Sequence, residues 1–220
     1  GQQVGKVMEK ADFIIMNDGS LEDSMKRIEE IWKEIESRTN KIERVCIFID
    51  GRNFYHSTKR FKDQGYDIKL QDIVYDLVGN RLLVNVYYYN ALLDKEQNLE
   101  TYRSHNEFID ILKKITKFKI ILCDVRKTKK ENGGFSYEVK GDDIYLAHDF
   151  LIGAFDNLYD TAIIISGDAD FIPVINTVRK RFNKKVGNGF FRRTSSYKLR
   201  QSCDFSVNIS KIIRKQNNKN

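Results

Sequence analysis

Short apolar runs separated by longer stretches of helical periodicity constrain this chain more than any other feature. The strand-like runs cover residues 44–49, 82–89, 118–123, 161–165, 185–190 and 205–209, and most are continuous and β-branched. Continuous apolar runs suit strands buried on both faces, the condition met inside parallel sheets. Helical patterns fill the intervals at residues 53–61, 70–79, 99–116, 141–155, 171–182 and 195–202. This alternation predicts an α/β fold in which a parallel, doubly wound sheet is sandwiched by helices. Ligands of such sheets bind beyond the carboxyl ends of the strands, near the point where strand order reverses. Functional residues are therefore to be sought just after each strand.

Three segments depart from the rhythm. Residues 126–140, RKTKKENGGFSYEVK, carry an Asn-Gly-Gly turn between alternating residues and predict a basic hairpin or loop. Residues 214–220 are polar and are expected to form a disordered tail. Residues 1–40 read as a separate extension made of a short strand-like run at 13–16 and an amphipathic helix. Ser20 is a natural N-cap with Asp23 three residues on, followed by Leu21, Met25, Ile28, Ile31/Trp32 and Ile35 at helical spacing. Such a helix needs a partner or an upstream domain to pack against. The expected domain spans residues 41–213.

The formal net charge is +7, and its distribution is uneven. Residues 1–40 hold six Lys/Arg against nine Asp/Glu, whereas residues 179–220 hold thirteen against Asp204 alone. A basic block of that kind is the electrostatic footprint of a phosphate-backbone binder, the alternative being a solvated basic surface. No apolar run approaches the roughly 18 residues that a membrane span requires. Cys46, Cys123 and Cys203 lack zinc-ligand spacing and are read as buried thiols in a reducing cytoplasm. His56, His105 and His148 form no ligand or general-base pattern.

Acidic residues recur at the predicted strand ends. VCIFIDGRNFY (45–55) delivers Asp50 at the end of the first strand, and AIIISGDADFIP (162–173) delivers Ser166, Asp168 and Asp170 in the same way. VKGDDIYLAHDF (139–150) opens a helix with Asp142 and Asp143, where helix-dipole stabilisation would account for either acid. A helical wheel sets Asp143 beside an apolar stripe of Ile144, Ala147, Leu151 and Ala154, and sets Asp142 and Asp149 on the solvated side. Carboxylates gathered in one place repel unless a cation neutralises them, and Mg²⁺ or Mn²⁺ prefers such oxygen donors. Asp50, Asp143 and Asp168 are the expected metal ligands.

IDGRNFY, KGDDIYLAHD, SGDADFIP and KKV…SSYKLRQSCDF resemble, in that order, the motifs of NYN domains over roughly residues 43–210. The resemblance implies a PIN-like, Rossmann-type fold of the LabA-related group and Mg²⁺- or Mn²⁺-dependent RNA cleavage. It implies catalytic roles for Asp50, Asp143, Asp168 and Asp170, with Asn53 as a positioning amide. Asp149 matches a further acid of the family, and Asp204 a late acid read as structural. Asp142 stands where the family usually has an apolar residue; it is either an extra ligand or solvated. Ser166 could bind a carboxylate or phosphate.

A smaller resemblance covers residues 6–36, which look similar to the carboxyl-terminal strand and helix of dephospho-coenzyme A kinase. It raises the expectation of a longer native protein with a kinase-like part upstream, against the alternative of a simple helical extension. The P-loop pattern of that enzyme, GxxxxGK[ST], does not occur here.

Lys127, Lys129, Lys130 and Lys140 precede the Asp143 helix, and Arg192, Arg193, Lys198 and Arg200 follow the strand at 185–190. Both groups are expected to hold an RNA backbone, single-stranded by preference, with Tyr137, Tyr197, Phe190 and Phe191 as candidate base platforms. Phe190 and Phe191 read better as core or strand-end residues. The expected function is a metal-dependent ribonuclease, with a second copy of the chain, as a homodimer, among the candidate partners. The first rival is a catalytically silent RNA-binding adaptor. The second is a phosphatase, whose acid-x-acid spacing only Asp168–Asp170 meets.

Overall fold

The computed structural model describes residues 14–15, 18–38, 42–91, 99–129, 135–139 and 141–218, with 36–38, 101 and 136–139 described in backbone only. The chain divides into two compact units, Gly1–Ile42 and Glu43–Asn220.

In the first unit, helix α1 (Leu21–Arg38) begins with a reciprocal cap. The Ser20 hydroxyl accepts from the Asp23 backbone N–H at 3.1 Å, and the Asp23 carboxylate accepts from the Ser20 N–H and hydroxyl at 3.1 and 2.6 Å. These bonds satisfy donors that the first turn would otherwise leave open. Leu21, Met25, Ile28 and Trp32 are exposed. Of the expected strand at 13–16 only Ile14 and Ile15 are described, and neither lies in a strand.

The second unit runs β1 (Arg44–Asp50), α2 (Gly51–Asp63), α3 (Leu70–Val78), β2 (Leu82–Ala91), α4 (Leu99–Lys113), β3 (Phe118–Cys123), β4 (Val125–Lys129) and β5 (Phe135–Val139). It continues with α5 (Asp142–Phe155), β6 (Thr161–Ile165), a short 3₁₀ turn (Ala169–Phe171), α6 (Ile172–Arg181), β7 (Lys185–Phe190), α7 (Tyr197–Ser202), β8 (Phe205–Asn208) and α8 (Ile209–Asn217). Six strands form one sheet in the order β3-β2-β1-β6-β7-β8. Every pairing in it is parallel. Chain direction across the sheet reverses between β1 and β6, and the register there sets Ile49 opposite Ile165.

The continuous apolar runs have the expected cause. Val45, Ile47 and Ile49 of β1 join one core with residues of α2, α3, α4 and α8, while Cys46 and Phe48 join another with α5, α6 and α7. With both faces covered, a polar residue in a central strand must find its hydrogen bonds inside the core. All three cysteines are free and buried. Among the described residues no helix is long and apolar enough to cross a membrane.

β4 and β5 pair antiparallel, as the expected hairpin requires, and residues 130–134 between them lie outside the described residues. The expected disordered tail needs correction, because α8 continues to Asn217. Ile209 and Ile213 are buried on the sheet. The polar end is tied down as well: the Asn217 side chain exchanges two bonds with the Asp67 backbone at 2.8 and 2.9 Å, and Gln216 donates to Asp76 at 2.8 Å.

Candidate active site

Asp50 ends β1 and caps α2. Its Oδ1 accepts from the Asn53 backbone N–H at 2.9 Å, and its Oδ2 accepts from the Ser166 hydroxyl at 2.9 Å. Ser166 Oγ in turn accepts from the Asp168 N–H at 3.1 Å, and Asn53 Oδ1 accepts from the Gly167 N–H at 3.2 Å. The corner after β1 and the corner after β6 are thus closed into one ring of hydrogen bonds across the reversal point of the sheet. Asp50 and Ser166 are buried, and burial raises the Asp50 pKa against the opposing effect of its two donors.

Two glycines make this closeness feasible. A Cβ on Gly51 would lie 2.5 Å from the Tyr89 carbonyl oxygen, and one on Gly167 would lie 2.0 Å from that of Thr194. The second contact matters for what surrounds the site. Ser196 N–H donates to the Gly167 carbonyl at 3.0 Å, and Ser57 and Thr194 hydroxyls meet at 2.6 Å. The loop bearing the exposed Arg192 and Arg193 is therefore fastened to the β6 corner.

The acids of α5 complete the group. The Asp143 carboxyl is pushed up to about 6, first by burial and then by the charges of Asp142, Asp50 and Asp168, with Arg52 opposing. Arg52 Nη2 stands 3.8 Å from Asp142 Oδ2 and 3.8 Å from Asp143 Oδ2. The charges of three other carboxylates, carried by β1, α5 and the β6 corner, thus act on Asp143, with one guanidinium opposing them.

The helical wheel placed α5 in the wrong phase. Asp142 is buried, with only 7% of its surface exposed, whereas Ile144 is 73% exposed. The buried stripe is Asp142, Leu146, Phe150, Gly153 and Ala154. Asp149 is not on the solvated side either: it accepts from the Tyr89 hydroxyl at 2.9 Å and pairs with His148 Nδ1 at 3.0 Å. Seven residues along α5 separate it from Asp142, about 10 Å of helix. α5 carries apolar side chains around most of its circumference, so periodicity alone did not set its phase.

The remaining expectations sort by position. Asp170 is exposed; its backbone N–H caps Asp168 Oδ1 at 2.9 Å, and its side chain is outside the ring. Asp204 is structural: it holds Arg179 Nε at 2.9 Å and the Val186 N–H at 2.8 Å. Lys127 and Lys129 lie on the exposed hairpin between β3 and α5, with Lys127 over the Phe135 ring at 4.3 Å. Lys130, Lys140 and the Tyr137 side chain lie outside the described residues. Lys198 is exposed, and Arg200 stacks on Phe190 and Tyr197 at 4.7 and 5.6 Å. Phe191 is core, packed edge-on to Phe54.

Sequence reasoning missed Arg52, Asn188 and Tyr89. Asn188 is fully buried in β7 and donates to the Ile164 and Ser166 carbonyls at 3.0 Å each, bracing the β6 corner. A polar residue inside an otherwise strand-like run was the available signal. Arg52 was visible as a cation within an acidic motif.

Residues 44–210 match the family model described as the NYN domain. The chain belongs to the NYN domain family. NYN domains are PIN-like nucleases, which places this chain among the hydrolases at that coarse level, and the parallel sheet between helical layers is a PIN-like fold. A crystal structure of a protein of unknown function from Vibrio parahaemolyticus RIMD 2210633 shares the fold at 21% identity and a TM-score of 0.56. The alignment covers 77% of this chain and 94% of that one. No curated protein matches the chain.

The NYN family implies a divalent metal, and the donor chemistry present is the kind that Mg²⁺ or Mn²⁺ takes. All donors are hard carboxylate oxygens, and their crowding leaves negative charge that Arg52 only partly offsets. Among the described residues no three His, Cys, Asp or Glu side chains stand close enough together to hold a metal ion as they are placed. Shallow depressions on α4 (Leu99, Arg103, Glu107) and at the amino edge (Glu43, Arg81, Phe205) lie apart from these acids.

Proposed function

We propose that this NYN domain is a metal-dependent ribonuclease that hydrolyses phosphodiester bonds of single-stranded RNA at the carboxyl edge of its sheet. The observation that carries the reading is the Asp143 carboxyl, pushed up to about 6 first by burial and then by the charges of Asp142, Asp50 and Asp168. Asp50, Asp143 and Asp168 would hold Mg²⁺ or Mn²⁺, with Asp142 adjoining. When bound, the ion supplies Lewis-acid polarisation of a phosphoryl oxygen and a water of lowered pKa.

The chain's own residues do the rest. The Ser166 hydroxyl and the Asn53 N–H each hold one oxygen of Asp50 and so fix its carboxylate. Asn53 Oδ1 holds Gly167 and with it the backbone leading to Asp168. Arg192 and Arg193 would grip phosphates beside the β6 corner, with Lys127 and Lys129 on the hairpin before α5, and Lys130 and Lys140, next to them in sequence, would add to that charge. Lys198 and Arg200 would extend the basic track, and the exposed Tyr197 ring would stack an unpaired base. Asp170 and Asp149 would act from the margins, through Asp168 and Tyr89.

Incubating single-stranded RNA with the protein and Mn²⁺ or Mg²⁺ tests this. Cleavage is expected, abolished by EDTA and reduced about a hundredfold or more by Asp50→Asn or Asp168→Asn. RNA binding without cleavage, unchanged by both substitutions, would leave an RNA-binding adaptor instead.

A further inference from the structure

Arg52 is the second residue of α2, in a first turn that contains no acid. A cation there opposes the helix dipole, so local helix stability gives no reason for it. Its guanidinium faces the acids instead. Nη2 is 3.8 Å from one oxygen of Asp142 and 3.8 Å from one of Asp143, and both separations exceed hydrogen-bond range. The side chain is 49% exposed. It is held there by charge, without the directional bonds that lock an arginine.

Arg44 provides the internal contrast. It meets Asp160 through Nε at 3.1 Å and Nη2 at 2.9 Å, and adds a backbone bond at 2.9 Å. That pair is a two-pronged clamp, and the fit of guanidinium to carboxylate is a reason to call it permanent. Arg52 has the same chemistry available and does not form it. Asp142, a buried carboxylate, faces no other cation among the described residues. The loosely held arginine and the buried acid stand side by side.

We infer that Arg52 is a tethered counter-cation for Asp142 and Asp143 that an arriving divalent ion displaces, so that it sets how tightly this NYN domain binds its metal. The inference rests on the acidic group being the metal centre. Without the ion, Arg52 offsets part of the repulsion between the buried Asp142 and the half-buried Asp143. With the ion bound, two cations would share the same oxygens, and the half-exposed arginine is the one free to leave. Its charge therefore counts against metal affinity.

Titrating the metal-free full chain with Mn²⁺ by calorimetry reads this directly. Arg52→Gln is expected to bind Mn²⁺ about five- to tenfold more tightly than wild type, and Arg52→Lys, which keeps the charge, within about twofold of it. Metal-free Arg52→Gln should also melt below metal-free wild type, with a larger rise on adding Mn²⁺. Equal or weaker Mn²⁺ binding by Arg52→Gln overturns the inference while leaving the metal centre standing. Absence of saturable Mn²⁺ binding by the wild type overturns both. The wild type offers a measurement that needs no variant: the Arg52 guanidinium NMR signal should shift towards that of a solvated side chain as Mg²⁺ saturates, and a signal unmoved at saturation defeats the proposal.

Discussion

The two edges of the sheet treat the same residue type in opposite ways. At the amino edge, Asp160 is clamped by Arg44, whose hydrogen bonds hold its carboxyl at about 2. Glu43 there pairs with Arg81 at 3.7 Å and Lys185 at 3.9 Å. At the carboxyl edge, Asp143 is pushed to about 6 by burial and by three other acids. Acids matched to cations in fixed geometry join elements together. Acids gathered with too little counter-charge cost stability and persist where a ligand can repay the cost. The contrast separates scaffold from site without reference to any motif.

The sharpest way to break the comparison is to exchange consequences between the edges. Asp50→Asn should remove RNA cleavage by about a hundredfold or more with little loss of melting temperature. Asp160→Asn should do the reverse, costing about 1–3 kcal/mol in urea unfolding and leaving the cleavage rate of folded protein unchanged. Comparable effects of both on the same readout would show that the edges do not differ in kind.

A backbone test follows in size. Gly167→Ala forces a methyl towards the Thr194 carbonyl, so the β6 corner and the loop carrying Arg192 and Arg193 must part. Chemical shifts of residues 191–196 should move, and RNA affinity should fall about tenfold with smaller change elsewhere. Affinity within error of wild type would detach that loop from the site.

The pH dependence should be gentler and of opposite sign at the two edges. The folded pKa of Asp143 is raised above its ordinary carboxylate value, so folding favours its protonated form. Its contribution to stability is complete below about pH 4 and is lost as pH rises through about 6. The folded pKa of Asp160 is depressed, so its contribution is present above about pH 4 and lost as pH falls towards 2. Metal-free protein should therefore melt higher at pH 5 than at pH 7.5, and Asp143→Asn should flatten that difference. Saturating Mn²⁺ should invert it, because protons then compete with the ion. A metal-free melting temperature that falls steadily from pH 7.5 to 5, equally in Asp143→Asn, would contradict the sign.

Much of this was open to reading from residues alone. Asp50 and Ser166–Asp168 each follow an apolar run that could only be a doubly covered strand, and a strand end has one place to go in a parallel sheet. The Ser20–Asp23 cap and the 125–139 hairpin were legible for similar reasons, because short-range chemistry specifies them. α5 was not legible in this way. Its apolar residues Ile144, Tyr145, Leu146, Phe150 and Leu151 span several faces, so the wheel had no single minimum.

By itself, then, the sequence determined the alternation of strands and helices, the residues at the strand ends and the family to which the chain belongs. Those follow from local patterns and from the burial that continuous apolar runs demand. Only the tertiary structure decided that Asp142 turns inward, that Asp149 serves the Tyr89 hydroxyl, that Asn188 braces the β6 corner, and that Arg52 reaches across to α5. Each depends on the angle at which one element docks against another, which is set by packing summed over the whole core and is written in no single segment.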